Sequence, residues 1–161
     1  TNPWKGRIVS FAWSFVSEDQ VHAMLAKNED EEREILATFW ALMSVGVRAA
    51  YTVADHEDRW IISRSLILGV HSVTGVQLDT GRYSKQSVDI RSKLFPNSMD
   101  ALGIAEVASL LGIPVPPDAA VGADVFGIVE AQDWEQLTRF SQATVAVEKE
   151  VFRLMKRYVK V

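Results

Sequence analysis

Cysteine is absent from all 161 residues. That excludes a disulfide framework, a thiolate zinc site and a cysteine nucleophile. No stretch reaches the roughly eighteen consecutive apolar residues that a membrane-spanning helix needs. Ile8 to Val16 is apolar behind Lys5 and Arg7, but Ser10 and Ser14 interrupt it and no small-x-small cleavage site follows, so no secretion signal is expected. Catalytic signatures are missing too. There is no His-Glu-x-x-His, no Gly-x-Ser-x-Gly elbow, no Gly-x-Gly-x-x-Gly and no phosphate loop ending in Gly-Lys-Ser/Thr. Histidine is scarce: His22, His56 and His71 are the three. His56 lies among Asp55, Glu57 and Asp58, yet acids gathered at a helix start account for that cluster with fewer assumptions. The expectation is a protein without enzymatic activity, metal or cofactor, placed in the cytoplasm or a virion, with no membrane partner.

Positive charge is missing between residues 94 and 138, which hold seven acids and no lysine or arginine. The net charge of −4 therefore conceals alternation. Residues 1–58 carry five basic and ten acidic side chains, residues 59–93 six and two, and residues 139–161 again six and two. A polyanion would have to meet the second and fourth blocks.

What is present is a hydrophobic content of 48%, enough for one domain with a real core spanning 1–161. The strongest pattern is at the end, over 133–161. Leu137, Phe140, Thr144, Val147, Val151, Leu154, Tyr158 and Val161 recur at alternating steps of three and four, the seam of a long amphipathic helix capped by Asp133. Trp134, Met155 and Val159 widen the seam beyond a two-stranded zipper, so it is expected to lie mainly in its own domain's core. Arg139, Lys149, Arg153, Lys156, Arg157 and Lys160 gather on the other side.

At the other end, 1–16 reads as an arm or short strand, with Val9, Phe11, Trp13 and Phe15 on one face; periodicity alone leaves strand and helix open over 8–16. Ser17 and Gln20 form a capping box that predicts a short helix to Lys27. Asn28, followed by Glu29, Asp30, Glu31, Glu32 and Glu34, starts a stronger helix running to Tyr51. Asp55-His56-Glu57-Asp58 caps a mostly buried helix from Arg59 to Val73, with Arg64 emerging from it. A fourth helix runs from Ser84 to Pro96. A fifth, capped by Asn97 or Ser98, carries Leu102, Ala105, Ala108 and Leu111 and ends at Gly112. Three prolines within 114–117 then extend the chain, and 119–131 suits a helix or a strand equally. The fold expected is all-α, about six helices with a long C-terminal helix.

Function is read from charge and assembly. Arg59, Arg64, Arg82, Tyr83, Lys85, Arg91 and Lys93 combine guanidinium groups with an aromatic ring, the chemistry that single-stranded nucleic acid needs. Lys149, Arg153, Lys156 and Lys160 on the last helix extend that surface. Alternating charge blocks favour head-to-tail joining of subunits, with Trp4, Phe11, Trp13 and Phe15 as the apolar part of the interface. The leading expectation is a self-assembling homo-oligomeric structural protein of coat or nucleocapsid type that holds RNA or DNA. One alternative is a helical adaptor binding a partner through its C-terminal helix; another is a helical ligand-binding protein or enzyme using His56 or His71.

Overall fold

The computed structural model describes residues 5–51, 57–73, 75–78, 87–95, 102–119 and 125–158. Two compact units emerge. The first joins the chain up to Val9 with Ala26–Ser98; the second joins Ser10–Leu25 with Met99–Val161.

In the first unit, helix α1 (Glu29–Met43) begins as its sequence dictates. The Asn28 side chain accepts the Glu31 N–H at 2.9 Å, and the Glu31 carboxylate reaches back to the Lys27 N–H at 2.5 Å. Ile35, Leu36, Phe39, Trp40 and Met43 form its buried face. The helix stops well before Tyr51. Ser44 folds its hydroxyl back onto Ala41 O at 2.6 Å, and the residues after it include Gly46 between two β-branched valines, poor material for another turn. The chain instead enters strand β3 (Arg48–Ala50). Helix α2 (Asp58–Leu68) follows and ends at Gly69, whose φ of 67° closes the last turn with an N–H donated to Ser65 O. Strand β4 (Ser87–Asp89) pairs with β3 in parallel, with Arg48 opposite Ser87 and Ala50 opposite Asp89. Helix α3 (Ile90–Leu94) continues directly from β4, and the Asp89 side chain caps it by accepting the Ser92 N–H at 2.7 Å.

In the second unit, strands β1 (Ser10–Trp13) and β2 (His22–Leu25) form an antiparallel hairpin, with Trp13 opposite His22 and Phe11 opposite Met24. Helix α4 (Ile104–Leu110) starts where Gly103 N–H meets the Glu106 carboxylate at 2.8 Å and ends at Gly112, φ 72°. A 3-10 turn follows at Pro117–Ala119, then helix α5 (Val125–Glu130) and helix α6 (Trp134–Met155). The Asp133 carboxylate caps α6 by accepting Gln136 N–H at 2.9 Å. The packing partners of α6 are β1, β2, α4, α5 and the 3-10 turn. Its seam is used inside this unit: Leu137, Val147, Val151, Phe152 and Met155 are buried, while Phe140, Thr144 and Leu154 are half-buried. The seam ends early, since Tyr158 lies past the helix and is exposed.

The expectation of an all-α fold is therefore wrong. The described residues hold six α-helices and two small sheets with four strands between them, mostly helical but mixed. Each strand has three or four residues, too few for a period-two pattern to declare itself. The helix predicted from Ser17 to Lys27 is replaced by β2, because pairing with β1 and packing on α6 outweigh a local cap. The fourth helix is shorter than predicted, Ser87–Asp89 being strand rather than helix. Of 119–131, Val125–Glu130 is helix. The proposed caps Asp55, His56, Asn97 and Ser98, like Ser84 and Pro96, lie outside the described residues.

Candidate functional site

The segment β3–α2–β4 is a parallel strand–helix–strand crossover, and in such units ligands bind beyond the carboxyl ends of the strands. Here that end is marked by Tyr51 and Asp89. The Arg91 N–H donates to Tyr51 O at 3.0 Å, carrying the strand pairing one step past the ladder. Helix α3 begins at this end, so its first turn sets Arg91 beside Asp89, while the first turn of α2 carries Asp58, which feels the Asp89 charge, and the exposed Arg59.

Asp58 is wholly buried. Its Oδ1 accepts from Arg48 Nη2 in a tight ion pair, and the Arg48 guanidinium lies 5.3 Å from the centre of the Phe39 ring. The pair is incompletely satisfied: Asp58 Oδ2 and Arg48 Nε are buried with no hydrogen-bond partner among the described residues. Burial pushes the Asp58 carboxyl above the ordinary aspartate value of 3.8; Arg48 opposes the shift and the nearby Asp89 charge adds to it. A perturbed carboxyl at the carboxyl end of a parallel crossover is the kind of group that functional sites collect.

A second buried ion pair close by is of the opposite character. Arg64 Nε donates to Glu32 Oε1 at 2.7 Å and Arg64 Nη2 to Oε2 at 2.8 Å, and the Ile8 N–H completes the carboxylate at 2.8 Å. The hydrogen bond to Glu32 raises the Arg64 pKa still further. This bidentate pair, with the Trp40 indole N–H bonded to Ser65 Oγ at 3.0 Å, pins α2 to α1. Arg64, expected to emerge from its helix and meet a ligand, is thus buried structure.

The other predicted residues divide. Arg59 and Lys93 are exposed and Arg91 is half-buried, while Arg82, Tyr83, Lys85 and Lys160 lie outside the described residues. Lys149 and Arg153 turn toward the β1–β2 loop: Lys149 Nζ donates to Ser14 Oγ and Glu18 O, and Arg153 Nη2 to Val16 O. Lys156 is exposed, 5.8 Å from the Phe152 ring centre. Of the predicted interface, Trp4 is outside the described residues; Phe11 stacks on Trp13 at 5.1 Å and Trp13 on His22 at 5.2 Å; Phe15 is exposed. His71 is exposed and His56 lies outside the described residues. Among the described residues no three His, Asp or Glu side chains group as a metal site, and no helix is long and apolar enough to cross a membrane.

Sequence reasoning passed over Arg48, Asp58 as a buried acid, and Asp89. No signal pointed to them, because the parallel pairing that unites them is long-range. Comparison of the chain with protein-family models, curated proteins and solved structures finds no match.

Proposed function

We propose that this protein binds single-stranded nucleic acid at the carboxyl end of the β3–α2–β4 crossover. The observation that carries the reading is that two arginines of the basic block, the exposed Arg59 and the half-buried Arg91, stand in the first turns of α2 and α3, with α3 leaving β4 at the carboxyl end of the parallel pair. Guanidinium groups there meet phosphates, and helix starts favour anions. The test is fluorescence anisotropy with labelled single-stranded RNA and DNA across a salt series. Affinity should fall steeply with salt, and an Arg59→Ala/Arg91→Ala variant should bind several-fold more weakly with a salt slope smaller by about 1.4, or 0.7 per lost cation. An unaltered isotherm in that variant sinks the reading.

The assembly reading draws on the hairpin. Ser10 bonds to Ser141 of α6, so by alternation Phe11, Trp13, His22 and Met24 share the opposite face, an apolar surface that a second subunit would cover. Light scattering across salt concentrations should show species larger than a monomer; a salt-independent monomer ends it.

A further inference from the structure

The loop joining β1 to β2 is tied to α6 along its length by side chains of that helix. Gln142 Nε2 donates to Val21 O at 3.2 Å. Lys149 Nζ donates to Glu18 O at 2.8 Å and Ser14 Oγ at 2.9 Å, and Arg153 Nη2 to Val16 O at 2.7 Å. Ordering long side chains costs rotamer entropy. Val21 is half-buried, yet Phe15 and Val16 between the tethered points stay 42% and 41% exposed. The clamp thus fixes the backbone on either side of an aromatic residue that it leaves at the surface.

The helix residues that make the clamp belong to a cationic stripe. Lys149, Arg153, Lys156 and Arg157 follow one another at steps of four, three and one, which keeps them on one side of the helix and its final turn. Lys149 gives its hydrogen bonds to neutral oxygens, so its charge remains uncompensated by them. Arg153 is shared with Glu150 at 2.6 Å. Lys156 and Arg157 are exposed one turn beyond the residue that holds Val16.

We propose that this stripe and the Phe15 ring form a second contact for single-stranded nucleic acid, with phosphates on Lys156 and Arg157 and one base stacked on Phe15. The inference rests on the preceding reading for its class of partner, though not for its residues. Charge complementarity selects a polyanion, and an exposed ring on a tethered loop selects one that also offers flat unpaired faces, which a single strand does and a duplex does not.

The experiment compares four proteins, the wild type, Phe15→Ala, Lys156→Ala/Arg157→Ala and Arg59→Ala/Arg91→Ala, binding a labelled fifteen-nucleotide oligouridylate over a potassium chloride series. Lys149 and Arg153 are left intact because they hold the loop, and thermal melts followed by circular dichroism establish that each variant is folded. Phe15→Ala should weaken binding roughly fivefold or more without altering the salt slope. The lysine–arginine variant should lower the slope by about 1.4. Ultraviolet crosslinking of the wild type to a photoreactive oligouridylate should place adducts on the peptide containing Phe15, a readout that no variant's folding can disturb. Unchanged binding in both α6-side variants, with adducts elsewhere, overturns this contact. If Arg59→Ala/Arg91→Ala alone is weakened, the first surface stands without the second; if it alone is unaffected, the second stands without the first. Absence of binding by the wild type overturns both. Oligouridylate binding left unchanged by Phe15→Ala, together with Phe15-dependent capture on anionic phospholipid vesicles, would instead identify a membrane surface and overturn the proposal.

Discussion

Arg64 holds both carboxylate oxygens of Glu32, one through Nε at 2.7 Å and the other through Nη2 at 2.8 Å, across the packed faces of α1 and α2. Both side chains are buried. Removing either partner strands a charge in the core, so Glu32→Ala or Arg64→Ala should each cost about 3–5 kcal/mol of unfolding free energy in urea. The apolar pair Glu32→Leu/Arg64→Met should cost less than either single change, because no charge is left unpaired. A double variant as destabilised as the sum of the singles would show that the pair acts through packing alone.

The Asp58–Arg48 pair should write itself into the pH dependence of stability. The folded-state pKa of Asp58 is raised above its unfolded value of 3.8, so in the window between the two the native state binds more proton than the unfolded state. Stability from this group is complete below the unfolded value and is lost as pH rises through the folded one. The urea midpoint of the wild type, relative to Asp58→Asn, should therefore decline as pH rises above 3.8 and through the folded-state value. A difference that grows with pH would mean that Arg48 dominates over burial.

Gln132 occupies the left-handed region at φ 56°, in the connection between α5 and α6. A side chain there is strained while glycine is not. Gln132→Gly should stabilise the protein by up to about 1 kcal/mol, the relief exceeding the entropy that glycine adds to the unfolded chain. Thermal melting reads the result, and a lowered midpoint counts against it.

Lys149→Met keeps the aliphatic stem but deletes the hydrogen bonds to Ser14 and Glu18. Amide hydrogen exchange over the β1–β2 loop should accelerate, with exchange in the middle of α6 unchanged. Equal acceleration throughout α6 would show that Lys149 supports the helix rather than the loop.

Helix starts were legible in the sequence where the cap is local. Asn28 and Asp133 bond to N–H groups three residues away, Gly112 closes a turn that neighbouring residues already shape, and the aromatic alternation at 8–16 became β1. Helix ends were less legible, as Met43 and Leu68 show, because termination depends on where the following chain is needed. Of the candidate site, Arg59 and Arg91 were visible as basic residues. The β3–β4 pairing that sets Arg91 beside Tyr51 was not.

By itself the sequence determined the elements whose hydrogen bonds and apolar faces lie within a few residues: α1, the body of α6 and the charge of the blocks they carry. Only the tertiary structure decided the rest. The β3–β4 and β1–β2 pairings take up residues of β2, β3 and β4 that local preference would have made helical, since backbone groups left unpaired beside a core cost more than a lost cap. The same long-range geometry sorted cations of like appearance into three fates. Arg64 is neutralised by Glu32 in the core, Lys149 and Arg153 are turned onto a loop, and Arg59 and Lys156 are left facing outward. No spacing along the chain encodes that difference, because it is set by which acceptor the fold brings within reach of each side chain.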